Sequence, residues 1–294
     1  EVVANSEQKE KWLRPLAKAE IRSCFSMTEP SPGAGSDPTM LQTTAKKTSK
    51  GWLINGEKWF ITGFNGAKLN IIMAKTSDKI EKGFGATMFL VDNDDPAIIK
   101  IRTQNSMESS FPGGHCQIKF KDLLVSDDQV LGEVGQGYKY AQVRLAPARL
   151  THCMRWLGAA QRAHDIATSY ASKRHAFGKA IGDHGGLAFQ LTDNEIDIQM
   201  SRLFIWNTAW LLDQGEQARN ESSMSKIFCS EAAFRIVDRA MQTLGGMGIT
   251  DDTLVERLFR EIRPFRIYDG PSEVHRWAIA KRLMKSVIGK NIPT

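Results

Sequence analysis

The period of the hydrophobic positions changes once along the 294 residues, close to residue 133. Residues 1–19 show a short helical pattern, for which Asn5 or Ser6 is the expected N-cap. This segment is too short to fold alone. We therefore interpret it as the end of an N-terminal helical domain that is otherwise absent from this chain.

Residues 20–132 carry apolar runs of strand length with no helical pattern between them, which predicts a middle antiparallel β domain. Two of these runs flank Asn55-Gly56, and this dipeptide is typical of a type I′ hairpin turn. Further strands are expected at residues 69–75, 84–91 and 116–120.

In residues 133–294 the apolar positions recur every three or four residues, as they do on one side of a helix. Breaks at 182–186, 214–219 and 245–250 divide this pattern into segments with short connections, which predicts an antiparallel helical bundle. Strands followed by helices indicate an α+β fold rather than a doubly wound sheet. Large apolar side chains of this half are expected in its core, namely Met154, Trp156, Trp206 and Trp210.

The composition, with 41% hydrophobic and 24% charged residues, excludes long disorder as the main character of the chain. No apolar run approaches about 18 residues, so no membrane-spanning helix is expected. The net charge of +6 suits a polyanionic ligand, but it does not distinguish nucleic acid from a phosphorylated cofactor. The four cysteines are scattered, which argues against a zinc site or disulfide framework and favours a reducing intracellular compartment.

Two loop segments are candidates for ligand binding, and each has a purely structural alternative. The loop 25–37 combines the hydroxyls of Thr28 and Ser36 with glycines that let backbone N–H groups approach a ligand; a plain surface turn is the alternative. The basic side chains of residues 173–179 could hold a diphosphate. Alternatively, they complement the dipole at the C-terminal end of a helix.

Two later segments are also candidates. Residues 242–248 are rich in glycine but follow a helix, which excludes a Rossmann or P-loop motif and leaves a helix terminus as the alternative. Asp269 lies in a turn closed by Gly270-Pro271, after which Ser272 can cap a new helix. A carboxyl partly removed from water is a usable general base near neutral pH; the alternative is that Asp269 only satisfies backbone groups of the turn.

In this order and spacing, the four segments resemble the motifs of the acyl-CoA dehydrogenases, a family of flavin enzymes, over about residues 20–285. The resemblance extends to Trp-Phe-Ile-Thr at 59–62 and to the Gly-Gln-Gly that ends at 137. Residues 149–155 and the ending Asp-Gly-Pro-Ser-Glu-Val-His resemble the branch of acyl-CoA dehydrogenase members 10 and 11 and their bacterial relatives. This resemblance implies a middle β domain, a C-terminal four-helix bundle and FAD as cofactor.

The resemblance also implies roles for individual residues. Residues that would contact the flavin ring are Phe25, Met27, Thr28, Phe60 and Thr62. Ser36 would lie where flavin and acyl-CoA meet, and Arg149 would lie on the acyl-CoA side. Residues that would reach the FAD of a neighbouring subunit are Arg174, Phe177, Gln242, Gly245 and Gly246, with Ser272 and Glu273 at the adenylate end. A shared FAD site implies a homodimer or homotetramer.

The reaction implied is the α,β-dehydrogenation of an acyl-CoA substrate, in which Asp269 removes the α proton and the β hydrogen leaves as hydride to flavin N5. Electrons would then pass to electron-transfer flavoprotein. Three positions depart from the family pattern: Asp269 replaces the usual glutamate, Ser31-Pro32 lengthens the first loop, and His184-Gly185 replaces a His-Gln pair.

Two alternatives keep this fold and change the function. One is a nitroalkane-oxidase-like flavin oxidase, which also uses an aspartate base. The other is an alkylation-response flavoprotein that binds DNA, but the chain has no long basic tail, so no nucleic-acid partner is expected. The expected location is the cytoplasm of a bacterium, or the mitochondria or peroxisomes of a eukaryote.

Overall fold

The computed structural model describes residues 1–77, 85–108 and 112–288. It divides into two compact units, residues 1–144 (unit 1) and residues 145–294 (unit 2). The expected strand at 84–91 begins at Phe84, which lies outside the described residues.

Unit 1 begins with a short helical stretch, composed of α1 (Ser6–Gln8), a π-helical turn (Lys9–Leu13) and α2 (Arg14–Ala17). The Asn5 side chain accepts a hydrogen bond from the Gln8 backbone at 2.8 Å, and the Gln8 side chain accepts one from the Asn5 backbone. This reciprocal capping box satisfies N–H groups that a helix start otherwise leaves unpaired. The predicted N-cap is confirmed at Asn5.

A sheet of eight strands follows in the described part of unit 1. The strands are β1 (Ser23–Ser26), β2 (Thr44–Thr48), β3 (Gly51–Thr62), β4 (Leu69–Lys75), β5 (Ala86–Asp92), β6 (Ile98–Gln104), β7 (His115–Val125) and β8 (Val130–Leu131). Their order is β6-β7-β3-β2-β4-β5-β8, and β1 pairs with β4.

The predicted antiparallel pairing holds for most of the sheet, with two exceptions: β1 runs parallel to β4, and β2 touches β4 in parallel at one residue pair. The connection from β1 to β4 contains the whole β2–β3 hairpin, and this length lets the chain return in the same direction. The predicted alternation in β7 is confirmed, since Cys116, Ile118 and Phe120 are fully buried in the core of unit 1.

The predicted hairpin turn at Asn55-Gly56 is wrong, because both residues lie inside the continuous strand β3. Asn55 pairs with Thr44 in the ladder, and its side chain exchanges two hydrogen bonds with Asp122 at 2.9 and 3.0 Å. Gly56, at a φ of +152°, lies where the register against β7 shifts, as in a β-bulge. Local turn preference is thus overridden by pairing with distant strands, and the actual turn lies at residues 49–50.

Unit 2 contains most of α3 (Gly137–Lys173) and then a two-stranded hairpin, β9 (His175–Ala176) and β10 (Lys179–Ala180). The remaining helices are α4 (Gly185–Asp213), α5 (Arg219–Leu244), α6 (Leu254–Ile262) and α7 (Ser272–Ile288). The breaks predicted from the sequence are confirmed as the connections between these helices. Their shared core includes Cys153, Ala160, Ile198, Ile236 and Phe265.

Three of the large side chains expected in the core of unit 2 are exposed, and that expectation is wrong for them. Trp206, Trp210 and Met154 are 62%, 59% and 55% exposed, whereas Trp156 is buried. The stripe of α4 that faces the core consists of smaller side chains: Asn194, Ile198, Ser201, Ile205 and Thr208. The period of a helix does not tell which of two such stripes is buried.

Among the helices that the structure describes, none combines the length and the apolar character needed to cross a membrane.

The first prediction concerns Gly56. An added Cβ would lie 2.5 Å from Thr43 Oγ1 and 2.6 Å from Thr43 Cα. We expect Gly56→Ala to lower the free energy of unfolding by about 2–3 kcal/mol. The control is Gly35→Ala, where no heavy atom lies within 4 Å of the added Cβ. Equal midpoints of the two variants in thermal unfolding would contradict this prediction.

Candidate functional site

Several predicted flavin-contact residues lie close together in unit 1. Phe25 lies in β1, and Phe25 and Met27 pack against the same apolar cluster. The Thr28 hydroxyl donates to the Trp59 carbonyl at 2.7 Å, and the Trp59 N–H donates to the Thr28 carbonyl at 3.1 Å. Thr28 is thereby fixed beside the part of β3 that carries Phe60.

A buried ion pair holds the loop of residues 27–43 (the 27–43 loop) on β3. Lys58 Nζ lies 2.9 Å from Glu29 Oε1 and donates to the Met27 carbonyl at 2.9 Å, and both charged side chains are buried. Burial lowers the pKa of Lys58 to about 8, against the opposing attraction of Glu29. Burial alone would raise the pKa of Glu29, but Lys58 and several hydrogen-bond donors outweigh it and lower that pKa below its usual value.

The loop wraps around the Glu29 carboxylate. The backbone N–H groups of Ala34, Gln42 and Thr43 all donate to it, at 3.2, 2.7 and 2.9 Å. A Cβ on Gly33 would lie 2.5 Å from Glu29 Oε2, so a glycine is required at this close approach. Ser36, at the outer part of the loop, stays exposed.

Phe60 and Thr62 point outward from the end of β3. Phe60 is 50% exposed at a φ of +52°, and its N–H donates to Gln104 Oε1 at 2.7 Å. Thr62 Oγ1 lies 2.9 Å from His115 Nδ1, and His115 Nε2 lies 2.7 Å from Glu108 Oε1. An exposed aromatic ring beside ordered hydroxyls is suited to cover a planar heteroaromatic ligand such as a flavin.

In unit 2, Asp269 occupies the turn before α7 and has a left-handed backbone with a φ of +54°. Its carbonyl oxygen accepts from Arg149 Nε at 3.0 Å and from His275 Nε2 at 3.1 Å. Its carboxylate oxygen Oδ2 lies 3.1 Å from His152 Nε2. Side chains from α3 and α7 therefore hold this acid in a conformation that only strong local contacts support.

The surroundings of Asp269 are aromatic and basic. Tyr268 OH accepts from Trp156 Nε1 and from Arg155 Nη2, which fixes the residue before Asp269. Burial lowers the pKa of Lys226 to about 8, while the negative charge of Asp269 opposes that shift. Lys226 is fully buried, and Asp269 is one of the carboxylates whose attraction acts on it.

The residues predicted to reach a neighbouring FAD lie in two exposed segments of unit 2. Arg174 immediately precedes the β9–β10 hairpin, and Phe177 lies in its turn, 95% exposed at a φ of +53°. Gln242, Gly245 and Gly246 lie at the exposed end of α5. The ends of α3 and α5 come together around an open cavity of about 410 Å³, which Lys173 and Leu244 help to line.

The two residues predicted at the adenylate end differ in their placement. Ser272 is buried and interacts with Glu231, so it faces the interior of unit 2. Glu273 is exposed and lies 3.8 Å from Arg276 Nη1. Within this chain, Glu273 is the one of the pair that a ligand can reach.

Five residues that shape these sites are not among the candidates that the sequence indicates, namely Glu29, Lys58, His115, Glu108 and His152. A lysine followed directly by the apolar residues Trp59, Phe60 and Ile61 was the available signal for Lys58. His152 stood in a segment used only to recognise a branch of the family. The partners of the other three could not be read from the sequence, because they lie far along the chain.

Comparisons with known proteins give the same family for both units. Residues 24–123 match the acyl-CoA dehydrogenase middle domain, and residues 135–284 match the acyl-CoA dehydrogenase C-terminal domain. The chain is 36% identical over 279 residues to acyl-CoA dehydrogenase FadE2 of Mycobacterium tuberculosis, covering 94% of this chain and 68% of the relative. It is also 36% identical over 283 residues to acyl-CoA dehydrogenase family member 11 of Gallus gallus, covering 94% of this chain and 36% of the relative.

A solved FAD complex of PigA superposes with a TM-score of 0.91 at 28% identity, covering 96% of this chain and 73% of that one. The chain therefore belongs to the acyl-CoA dehydrogenase family, whose members are FAD-dependent oxidoreductases. The predicted family, α+β fold class, enzyme class and FAD cofactor are confirmed. The domain boundaries at residues 19 and 132 and the roles of single residues stay predictions.

The second prediction concerns His275, whose pKa burial lowers from 6.5 to about 4. An unfolded histidine binds a proton near pH 6.5, but folded His275 binds one only near pH 4, so acid favours the unfolded state in between. The contribution of His275 to the free energy of unfolding is fully present above pH 6.5. We expect about 2 kcal/mol of it to be lost by pH 5. The test is the thermal unfolding midpoint above pH 6.5 and at pH 5. Between these conditions the midpoint should fall less in His275→Gln than in the parental chain, because the amide retains a donor but does not titrate. An equal fall in both proteins would refute this prediction.

Proposed function

We propose that the chain catalyses the FAD-dependent α,β-dehydrogenation of an acyl-CoA thioester to the 2-enoyl-CoA, with Asp269 as the α-proton base. The observation that carries the proposal is the Asp269 carboxylate itself. It is largely buried, contacts a histidine, attracts a buried lysine, and stands at the motif position where the family usually has a glutamate.

The chemistry follows from this placement. Removal of the α proton requires an ionised carboxylate close to the substrate carbon, and the basic neighbours of Asp269 favour that form. Arg149 holds the Asp269 carbonyl, which orients the turn, and contributes positive charge on the acyl-CoA side. FAD, when bound, accepts the hydride from the β carbon. Protein donors to the thioester oxygen would stabilise the enolate-like charge that develops.

The proposed FAD contacts follow the geometry of each unit. In unit 1 they are Phe25, Met27, Thr28, Phe60 and Thr62, supported by the buried Glu29–Lys58 pair, with Ser36 toward the acyl-CoA. In unit 2 they are Arg174, Phe177, Gln242, Gly245, Gly246 and Glu273. The contact proposed for the buried Ser272 rests on the family resemblance alone. The basic and glycine-rich groups of this second set suit a diphosphate.

A homo-oligomer is part of the proposal. The exposed face of α4 carries an apolar stripe, which consists of Phe189, Ile196, Met200, Leu203, Trp206 and Trp210. This stripe begins next to the β9–β10 hairpin, where His184 contacts the carbonyl of Ala176 and packs against Phe177. Because the hairpin is expected to reach the FAD of a second copy, a second copy is the occupant that we propose for the stripe.

Electron-transfer flavoprotein is the proposed electron acceptor, and an intracellular compartment is the proposed location. Both rest on the family resemblance.

The third prediction tests Asp269. We expect Asp269→Asn to abolish flavin reduction by an accepted acyl-CoA while FAD stays bound, because the amide keeps the shape but cannot accept the proton. We expect Asp269→Glu to lose about a hundredfold in rate, because the longer arm misplaces the carboxylate by about 1 Å. Anaerobic stopped-flow measurement of flavin bleaching gives the rate, and Asp251→Asn, an exposed aspartate of unit 2, is the control.

Several outcomes would contradict the proposal. An Asp269→Asn variant at the parental rate would exclude Asp269 as the base. Oxygen consumption with a nitroalkane, without acyl-CoA turnover, would favour the oxidase alternative. Tight DNA binding that weakens steeply with salt would favour the alkylation-response alternative.

The fourth prediction tests the oligomer. We expect Trp206→Glu to dissociate the protein in sedimentation velocity and to weaken FAD retention at the same time, because a shared site links the two equilibria. The control is Ile101→Glu, an exposed apolar residue of β6 in unit 1, which should change neither. A Trp206→Glu variant with the parental sedimentation coefficient would exclude this face of α4 as the interface.

A further inference from the structure

We propose that Gln104 is a positioning residue for Phe60. Its side-chain oxygen accepts the backbone N–H of Phe60 and thereby holds the aromatic ring in the place from which it would cover the flavin. This inference rests on the proposed function, in which Phe60 contacts the flavin ring.

The segment that carries Phe60 is a bulge in β3. In the ladder with β7, the register shifts between Lys58 and Ile61. Trp59 and Phe60 of β3 there stand opposite one residue of β7, Gln117. A bulge of this kind leaves N–H groups of the bulged strand without a partner in the ladder. Each of these groups has to find an acceptor outside the ladder, in the protein or in water.

Both amides of the bulge find acceptors outside β7. The Trp59 N–H donates to the Thr28 carbonyl at 3.1 Å. The Phe60 N–H donates to Gln104 Oε1 at 2.7 Å. Because a backbone N–H can only donate, the atom of the Gln104 amide that faces it must be the oxygen. The bulge is thus held from two sides, by the 27–43 loop and by the end of β6.

Phe60 needs such support because its backbone is left-handed. Its φ is +52°, a region that is unfavourable for an aromatic residue and that persists only where surrounding contacts enforce it. Phe60 is 50% exposed and packs edge-on against Trp59, with 5.0 Å between the ring centroids. Since half of this residue lies outside the core, the direction of its ring is set mainly by the backbone at position 60.

Gln104 reaches the bulge from a fixed position. Its backbone pairs with His115 at the end of the β6–β7 ladder, and His115 pairs in turn with Thr62 of β3. The three residues form a row across the sheet, next to the bulge. Gln104 is therefore carried by a strand end whose place the sheet already determines, as a residue that supports a binding group must be.

The effect of losing this acceptor should fall on the ring rather than on the sheet. The Phe60 N–H would lose one of the two bonds that hold the bulge, and φ at position 60 could relax toward its ordinary range. The ring would then leave its place, and a planar ligand stacked on it would lose contact. The ladder bonds of β3, β6 and β7 join backbone groups and do not involve the Gln104 side chain.

The experiment measures two properties of the full chain. One is the dissociation constant for FAD, titrated into protein from which the flavin has been removed. The other is the visible absorption and circular dichroism of the flavin at saturating FAD. Gln104→Leu removes the acceptor, whereas Gln104→Glu keeps an oxygen at the same reach. The matched control is Gln117→Leu, because Gln117 accepts from Arg102 Nε at 2.7 Å and donates to Glu57, both of them side chains.

We expect Gln104→Leu to raise the FAD dissociation constant about tenfold and to change the flavin spectrum, because the N–H loses its acceptor and the ring its fixed position. Gln104→Glu should keep the parental spectrum and stay within about threefold of the parental constant. Gln117→Leu should match the parental chain in both measurements. In a Phe60→Ala background, which has no ring to position, Gln104→Leu should change the constant by less than about twofold.

Three results would overturn the inference. The first is parental or tighter FAD binding in Gln104→Leu, and the second is an equal loss in Gln104→Leu and Gln104→Glu. The third is an undiminished effect of Gln104→Leu in the Phe60→Ala background, which indicates a route other than the ring.

Phe60→Ala alone separates this inference from the proposed function. Parental FAD binding and spectrum in that variant would remove Phe60 from the proposed flavin contacts, and the role of Gln104 with it. Weaker binding in Phe60→Ala together with an indifferent Gln104→Leu would refute only the positioning role.

Discussion

The buried ion pair of Glu29 and Lys58 is the interaction on which the part of unit 1 that we propose for flavin contact depends. Both charges are removed from water, and an isolated charge there would cost several kcal/mol. Each is tolerated only because the other and three backbone N–H groups are in place. If the 27–43 loop left β3, Lys58 or Glu29 would lose its partner, which is unfavourable. The ion pair therefore keeps Thr28 beside the part of β3 that carries Phe60 without requiring a ligand.

Asp269 in unit 2 is also a largely buried carboxylate beside basic side chains, but we propose a different role for it. Glu29 is closed off on all sides, and its lowered pKa keeps it an anion with a purely structural role. Asp269 keeps 13% of its side chain exposed, and its carboxylate lies 3.1 Å from a histidine nitrogen. A carboxylate that a ligand can still reach is able to accept a proton from it, as the proposed general base must.

The sequence predicted those elements whose signal is local. The strand at 69–75, the alternation around Ile118, the N-cap at Asn5 and the helix breaks all follow from side-chain period or capping chemistry within a few residues. The hairpin at Asn55-Gly56 failed because distant residues decide that segment. Asn55 is hydrogen-bonded to Asp122, and Gly56 lies against Thr43, and both contacts favour a continuous strand. Asp122 and Thr43 lie outside any short sequence window around residue 55.

The same distinction separates the parts of the candidate site. Motifs identify the residues that are expected to touch a ligand, because those residues cluster in short segments such as 25–28 and 268–273. The residues that hold them in place come from elsewhere: Lys58 meets Glu29 across 29 positions, and His115 meets Thr62 across 53. In the sequence, His152 is indicated only as part of a segment that resembles one branch of the family. Its Nε2 lies 3.1 Å from the Asp269 carboxylate, a partner far along the chain that nothing near residue 152 could have indicated.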